Sequence, residues 1–426
     1  MNKIDVENIE DIFGLTSMQM SMLFNFLVNK DSYVYNEQNI FKVYGNLNTE
    51  ILEKAFKDVV SSNEMLRAVF RWEKLRKPVQ IILKKKTLDF VRFNLSSENK
   101  ERKLKMLSLM ARKKINLTND LINIVICKID ENEYELIITN HHIIMDGWST
   151  AILLKEVIDQ YDILLNNDDT KLSINKCKFK EFVKFQNSID KEEEKLFWQR
   201  YLKDFKVQDN SSIKPERSEE EYITKIVDDS LYKRTKEYVA KHNVTFASFL
   251  YAAWGIFLNK YYHNDDVILG ITLSGREPSI RGIESTIGLF INTIPLRINF
   301  RDKYKIKDLI QTVNQEVIQL QQFQHTSFSE ILQYSNLPYG SALYNSVFVI
   351  QNYPVDSELI NNKKNINIDL IKRNYQVGLP LVISVRVFDH MEIDINFILS
   401  QFNKEQIIKI MEMYVNILEN LLVKND

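Results

Sequence analysis

The feature that most constrains the fold is the stretch from Tyr134 to Leu165, where an apolar strand runs almost directly into a long helix. The residues from Tyr134 to Asn140 read as a strand. From about Trp148 to Leu165, apolar side chains recur at helical spacing. The junction between them, His141 to Gly147, carries two adjacent histidines and an aspartate. This strand-to-helix unit predicts an α/β fold.

Similar runs of strands and helices occur in the second half of the chain. There, an apolar helix over Val244–Tyr262 precedes a buried strand over Val267–Leu273. The polar run from Asn166 to Asp169 is the first clear loop after the strand-to-helix unit. We therefore predict two α/β lobes, an N-terminal lobe over residues 1–168 and a C-terminal lobe over residues 169–426.

Composition excludes several classes of protein. The chain has 426 residues, 45% of them hydrophobic and 27% charged, so it has enough apolar surface for a sizeable core. Its net charge of −1 argues against a nucleic-acid partner. The first residues lack the apolar core of a signal peptide, and the longest apolar stretch, near Ala247–Leu258, is too short to span a membrane. We therefore expect a cytoplasmic protein with no membrane partner.

The two adjacent histidines are the strongest chemical signal. Successive side chains on a strand point to opposite faces. If the strand persists through the pair, only one of His141 and His142 can face a cavity, and the other is expected to be packed inside. This geometry disfavours a metal site built from both, and no third ligand lies nearby, so we expect no metal. A single imidazole that takes and returns a proton near neutral pH fits better. The pair alone leaves open a purely structural, buried role.

Two neighbours of the histidines have expected roles of their own. Asp146 is expected to orient the loop through an ion pair. Gly147 is expected to supply a backbone conformation that other residues resist.

The whole string from Asn140 to Ser149 resembles the His-His-x-x-x-Asp-Gly signature of condensation domains of nonribosomal peptide synthetases. The wider family includes chloramphenicol and carnitine acyltransferases. Other segments resemble further motifs of this family, in the family's order and over nearly the whole chain. They are Leu15–Gln19 with Met22–Phe24, Asn63–Phe70, Phe179–Phe182, Ile287–Thr293 and Asn345–Pro354.

The resemblance implies a fold of two chloramphenicol-acetyltransferase-like lobes, arranged as a V-shaped pseudo-dimer with a central tunnel. It implies donor and acceptor peptidyl carrier domains as partners, each delivering its acyl group on a phosphopantetheine arm, and a neighbouring adenylation domain. The domain itself is expected to bind no cofactor. In the family's pattern His142 is the catalytic candidate, supported by His141, Asp146 and Gly147, and Arg67 matches the arginine expected to pair with Asp146.

Three further residues are candidates for substrate binding. Asn292 is a polar side chain in an apolar run and needs a partner, which is either the substrate or the protein itself. Trp148 and Ser149 follow the Asp-Gly pair directly. For Trp148, packing in the core is the alternative to a substrate contact.

Some positions depart from the general pattern of the family. The second motif usually begins with Arg-His, whereas this chain has Ser62-Asn63. Met145 precedes the motif aspartate, and the first motif contains Met18-Gln19, which resembles domains that join a D-configured donor to an L-configured acceptor. Adenylation and carrier motifs are absent, so we expect either an excised domain of a multidomain chain or a stand-alone monomer.

The sequence therefore predicts an enzyme that forms a peptide bond between a donor acyl or peptidyl thioester and the amine of an acceptor aminoacyl thioester. One alternative is a stand-alone, coenzyme A-dependent acyltransferase that acts on an alcohol or amine. The other is a non-catalytic domain that recruits carrier domains.

Overall fold

A computed structural model describes most of the chain. The described residues are 4–28, 34–99, 101–103, 105–106, 115–167, 174–207, 220–301, 305–335, 337, 342–351, 366–375, 379–387 and 390–423. Of the segments singled out in the sequence, residues 168–169 and 352–354 lie outside this set.

Strands and helices occur in both halves of the chain, as the sequence predicts, and are numbered here along the chain. The strands are β1 (Ile9–Gly14), β2 (Asn36–Gly45), β3 (Ala68–Arg71), β4 (Val79–Leu83), β5 (Asp89–Asn94), β6 (Ile122–Asp130), β7 (Glu133–His141), β8 (Glu220–Ile226), β9 (Asp266–Leu273), β10 (Asn292–Asn299), β11 (Ser346–Gln351), β12 (Ile366–Tyr375), β13 (Leu381–Val387) and β14 (Met391–Ile398). The helices are α1 (Ser17–Val28), α2 (Thr49–Ser62), α3 (Gly147–Leu165), α4 (Phe179–Ser188), α5 (Lys191–Tyr201), α6 (Asp229–His242), α7 (Phe246–Tyr262), α8 (Ile306–Gln321), α9 (Phe328–Tyr334) and α10 (Lys404–Val423).

The chain forms two compact units, each assembled from three segments. The first unit comprises Met1–Ser188, Arg276–Phe290 and Tyr353–Val377, and the second comprises Ile189–Gly275, Ile291–Asn352 and Gly378–Asp426. This division does not follow the boundary expected at residues 168 and 169. The physical reason is that β12, late in the chain, pairs along its length with β2 and so joins the first unit.

The first unit contains two sheets. A five-stranded sheet has the order β12-β2-β7-β6-β5, and a three-stranded sheet has the order β1-β4-β3. One face of the larger sheet packs on α3, since Val43 and Leu136 line a small apolar cavity together with Leu154 and Val157. The other face carries a second apolar cluster that includes Cys127. Because both faces are covered, β6 is apolar along most of its length instead of alternating.

The second unit is built on one six-stranded sheet with the order β10-β9-β11-β13-β14-β8. Its large apolar core includes most of α7, which packs against α8 and α10. The indole of Trp254 is fully buried in this core and donates a hydrogen bond of 3.0 Å to Ser346 Oγ. Burial on several sides explains why α7 has the longest apolar stretch of the chain. Among the described residues, every helix is too short or too polar to cross a lipid bilayer.

Candidate active site

The candidate site lies in the first unit, at the junction of β7 and α3. Strand β7 ends at His141, a 3₁₀ turn follows over His142–Ile144, and α3 begins at Gly147. The strand and helix predicted from the sequence are therefore present within one residue of their expected ends. Two side chains fix this junction by capping its helical turns. His141 Nδ1 accepts a hydrogen bond of 3.1 Å from the Ile143 amide, and Asp146 Oδ1 accepts one of 2.8 Å from the Ser149 amide.

His141 is the packed member of the pair. Its side chain is 1% exposed, and its ring centroid lies 6.1 Å from that of Phe26 and 6.2 Å from that of Tyr35. Burial, together with the neighbouring His142, lowers the pKa of His141 to about 3. The imidazole of His141 is therefore neutral at neutral pH, and its acceptor nitrogen is used to cap the turn.

His142 is only half-buried, and its ring contacts a backbone carbonyl. Its Nδ1 lies 2.7 Å from the carbonyl oxygen of Met145. A carbonyl oxygen only accepts, so Nδ1 carries the proton and the lone pair of the neutral ring is on Nε2. The backbone is fixed as well, because the His142 amide donates a hydrogen bond of 2.8 Å to the carbonyl of Tyr35 on the chain leading into β2.

Asp146 is fully buried, and every contact it makes favours the charged form. Its Oδ2 accepts hydrogen bonds from the Arg276 guanidinium at 2.9 Å and from the Phe290 amide at 3.1 Å. Its Oδ1 lies 2.8 Å from both the amide and the hydroxyl of Ser149. Burial alone would raise the pKa of Asp146, but the charge and hydrogen bonds of Arg276 and the hydrogen bonds of Ser149 outweigh it and hold the pKa below its usual value.

The expected pairing of Arg67 with Asp146 is wrong. Arg67 instead forms an ion pair of 2.7 Å with Glu10 and donates a hydrogen bond to the carbonyl of Leu83. Arg67 is the last residue of the 3₁₀ turn Glu64–Arg67 that leads into β3, and its partners Glu10 and Leu83 lie on β1 and β4 of the smaller sheet. Arg276 is the partner of Asp146. In the sequence, Arg276 is recognisable only as a charged residue shortly after the buried strand β9. This position does not indicate that it pairs with a residue 130 positions earlier.

Arg276 also organises Trp148 and Ser149. Its guanidinium carbon lies 5.1 Å from the ring centroid of Trp148 and 4.5 Å from that of Phe290. It also donates a hydrogen bond of 3.1 Å to Ser149 Oγ. The Trp148 indole nitrogen donates a hydrogen bond of 3.0 Å to the carbonyl of Glu284. Both residues thus support the ion pair, and their predicted substrate contacts stay predictions.

Gly147 does not need the backbone freedom expected of it. It is the first residue of α3, and the described glycines with left-handed φ angles are Gly45, Gly275 and Gly282. At Gly288, near the site, a side chain would collide with neighbouring rings. A Cβ atom there would lie 2.7 Å from ring carbons of both Phe179 and Phe290.

Asn292 lies in the second unit and has partners within the protein. Its Nδ2 donates hydrogen bonds to the carbonyls of Gln324 at 2.8 Å and Thr326 at 2.7 Å, and its Oδ1 accepts one from the Thr293 amide at 2.9 Å. The protein itself therefore provides hydrogen-bond partners for Asn292, and substrate binding by this residue stays a prediction. In the part of the chain that the structure describes, His, Cys, Asp and Glu side chains form no group of three suited to a metal ion.

Comparison with known proteins gives consistent matches. The condensation domain family model matches residues 9–425. Bacitracin synthase 3 from Bacillus licheniformis is 32% identical over 364 residues, which cover 82% of this chain and 6% of that synthase. Surfactin synthase subunit 2 from Bacillus subtilis (strain 168) is 30% identical over 367 residues, which cover 83% of this chain and 10% of that subunit. The chain therefore spans only a small part of these relatives.

A solved structure shows the same fold. The crystal structure of a four-domain nonribosomal peptide synthetase bound to AMP and glycine matches with a TM-score of 0.83 at 15% identity, over 97% of this chain and 33% of that one. The match confirms the predicted α/β fold.

The ion pair of Asp146 gives a first testable prediction. Arg276→Met leaves a buried carboxylate without its partner, so we expect the free energy of unfolding to fall by about 3–5 kcal/mol. Urea unfolding of a double-mutant cycle between Asp146→Asn and Arg276→Met should show a coupling of about 1 kcal/mol or more. The control cycle combines Asp146→Asn with Arg67→Met and should be additive. Coupling in the control cycle with additivity in the first would restore Arg67 as the partner.

The buried His141 gives a prediction about pH. The unfolded chain takes up a proton at this residue below pH about 6.5, whereas the folded protein does not until pH about 3. The contribution of neutral His141 to the free energy of unfolding is therefore complete above pH about 6.5. It is lost as the pH falls toward about 3, and the free energy of unfolding decreases by at most about 1.4 kcal/mol per pH unit.

The measurement is urea unfolding at about pH 7 and about pH 5. His141→Asn keeps an oxygen that caps the turn but does not titrate, so this variant should lose less stability on acidification than the wild-type protein. Equal losses in the two proteins would contradict the neutral, buried state of His141.

Proposed function

Because this chain belongs to the condensation-domain family, whose members form the amide bonds of nonribosomal peptides, we propose that it joins a donor acyl or peptidyl thioester to the amine of an acceptor aminoacyl thioester. The observation that carries this proposal is the contact between His142 Nδ1 and the Met145 carbonyl. That contact leaves Nε2 of a half-buried imidazole as the proton acceptor, next to a junction that Asp146 and Arg276 hold rigid.

The proposed reaction is an acyl transfer. The amine nitrogen of the acceptor attacks the thioester carbonyl carbon of the donor, and a tetrahedral intermediate forms. The intermediate collapses as the carbon–sulfur bond breaks, so the peptide bond forms and the donor's thiol leaves. The proton lost by the attacking nitrogen is balanced by the proton gained by the leaving sulfur.

His142 has two possible roles in this reaction, and both use the same lone pair. As a general base, Nε2 takes the proton from the attacking amine, an effect that typically contributes roughly 10²–10⁴-fold in rate. As a positioning group, it holds the amine by a hydrogen bond while the thioester supplies the reactivity.

Substrates and partners follow from the same proposal. Both acyl groups arrive on the phosphopantetheine arms of donor and acceptor carrier domains, and an adenylation domain loads the acceptor. The matched regions are small parts of bacitracin synthase 3 and of surfactin synthase subunit 2, which supports such partners. We propose that the domain acts in the cytoplasm and needs no cofactor of its own.

The proposed role of His142 is tested by His142→Ala. With donor and acceptor carrier domains loaded with thioesters, mass spectrometry of the acceptor arm should show condensation reduced by about 10²-fold or more, with unfolding nearly unchanged. His390→Ala, a half-buried histidine outside the motif, is the matched control and should turn over normally. Near-normal turnover by His142→Ala would refute the role of His142. Turnover by the wild-type protein only with coenzyme A thioesters would refute the use of carrier domains.

The stereochemistry of the donor is a finer proposal. Met145 before the motif aspartate and Met18-Gln19 in the first motif resemble domains that accept a D-configured donor and an L-configured acceptor. We therefore propose that the donor thioester ends in a D-residue. This proposal rests on resemblance.

A competition experiment tests the donor preference. Donor carriers loaded with the two epimers are mixed in equal amounts with one L-aminoacyl acceptor, and the product is resolved by chiral chromatography. We expect the D-epimer in excess. An excess of the L-epimer would overturn the subtype and leave peptide-bond formation unaffected.

A further inference from the structure

The turn that carries His142 is also held from α1, by Gln19. Gln19 is fully buried, and its Nε2 donates a hydrogen bond of 3.1 Å to the carbonyl of Ile143. Ile143 is the middle residue of the turn that begins at His142. A buried side-chain amide from another element is therefore bonded to the turn that presents the proposed base.

The orientation of the Gln19 amide is set by two backbone groups. Its Oε1 accepts a hydrogen bond of 3.0 Å from the Thr16 amide, which can only donate. Its Nε2 faces the Ile143 carbonyl, which can only accept. If the oxygen and nitrogen exchanged places, the amide NH₂ would face the donor N–H of Thr16, and the amide oxygen would face the acceptor oxygen of Ile143. Only one orientation of the Gln19 amide is therefore compatible with these neighbours.

Gln80 on β4 holds the other edge of the Gln19 amide. The two buried amides exchange hydrogen bonds, with Gln80 Nε2 donating to Gln19 Oε1 at 2.9 Å and Gln19 Nε2 donating to Gln80 Oε1 at 3.1 Å. Gln80 also donates a hydrogen bond of 2.8 Å to the carbonyl of Gly14 at the end of β1. The Gln19 side chain is thereby tied to the three-stranded sheet as well as to the turn, and such a network has little freedom to shift.

The position of this bond matters because the turn is short. Ile143 is fully buried, so its carbonyl has no water to replace the amide of Gln19. Without that donor, the turn must move for its carbonyl to find another partner. The same turn carries His142 and leads to Met145, and their contact of 2.7 Å sets the ring orientation of His142.

We propose that Gln19 is a positioning residue for His142, acting through the Ile143 carbonyl to hold the turn in the geometry that directs Nε2 of the imidazole at the substrate. This inference rests on the proposed function and adds to it a residue outside the histidine motif. The hydrogen bonds of the Gln19 side chain go to Thr16, Gln80 and Ile143, so Gln19 acts through the turn, and its effect is expected on turnover and on the state of the imidazole.

The test uses Gln19→Met, which keeps the length of the side chain and removes the donor. With loaded carrier domains, we expect kcat to fall about 10-fold to 100-fold, while KM for the acceptor carrier changes by less than about 3-fold. The matched control is Gln38→Met. Gln38 is a buried glutamine of the same unit whose amide donates to Thr139 Oγ1 at 3.0 Å, and this variant should keep near wild-type kcat.

A second readout does not depend on catalysis. In ¹⁵N-histidine NMR, the wild-type protein and Gln38→Met should show His142 as the Nδ1–H tautomer, and Gln19→Met should show a mixture of tautomers. If Gln19→Met does not fold, Gln19→Leu replaces it, since this change also removes the amide donor and introduces no buried charge.

The outcomes separate this inference from the proposed function. Unchanged kcat and an unchanged His142 tautomer in the Gln19 variant would overturn the positioning role. Equal loss of activity in the Gln19 and Gln38 variants would also overturn it, because a general loss of stability would then explain both. If the wild-type protein forms no peptide bond, the proposed function fails, and the tautomer measurement still decides whether Gln19 orients His142.

Discussion

The ion pair between Asp146 and Arg276 is the interaction on which the site depends. A buried carboxylate without a partner is strongly destabilising, so the fold must bring a cation and several donors to this point. Arg276, the Ser149 amide and the Phe290 amide supply them. The same carboxylate also caps α3, so one side chain starts the helix of the histidine motif and anchors the segment Arg276–Phe290 to the first unit.

The different environments of the two histidines follow from where β7 ends. His141 is the last residue of the strand, and its ring is packed between aromatic side chains, where burial keeps it neutral. The chain then turns away, and His142 opens a 3₁₀ turn with its ring bonded to the Met145 carbonyl. His141 thus serves the structure of the turn, and the contact of His142 with Met145 uses Nδ1 and leaves the Nε2 lone pair unused by that contact.

Local features of this arrangement could be predicted from the sequence, because they depend on neighbours along the chain. Periodicity predicts β7 and α3, whereas the different environments of His141 and His142 come from the turn that begins after the strand ends at His141, and not from alternation along a strand. The membership of the two units could not be predicted in this way. The pairing of β12 with β2 joins residues more than 300 positions apart, and nothing in the local pattern of either strand selects the other.

The pairing of Asp146 shows why the rest of the site was harder to predict. Its burial and its place before α3 indicate that it needs a cation, but electrostatics requires only a positive charge and does not specify which one. The resemblance to the family's second motif favours Arg67, yet its guanidinium is already bound by Glu10 and the Leu83 carbonyl of the smaller sheet. Arg276 is distinguished by its surroundings, since the rings of Trp148 and Phe290 flank its guanidinium beside the carboxylate. An aromatic enclosure of this kind is a property of the folded chain, so the partner of a buried charge is found only when the fold is known.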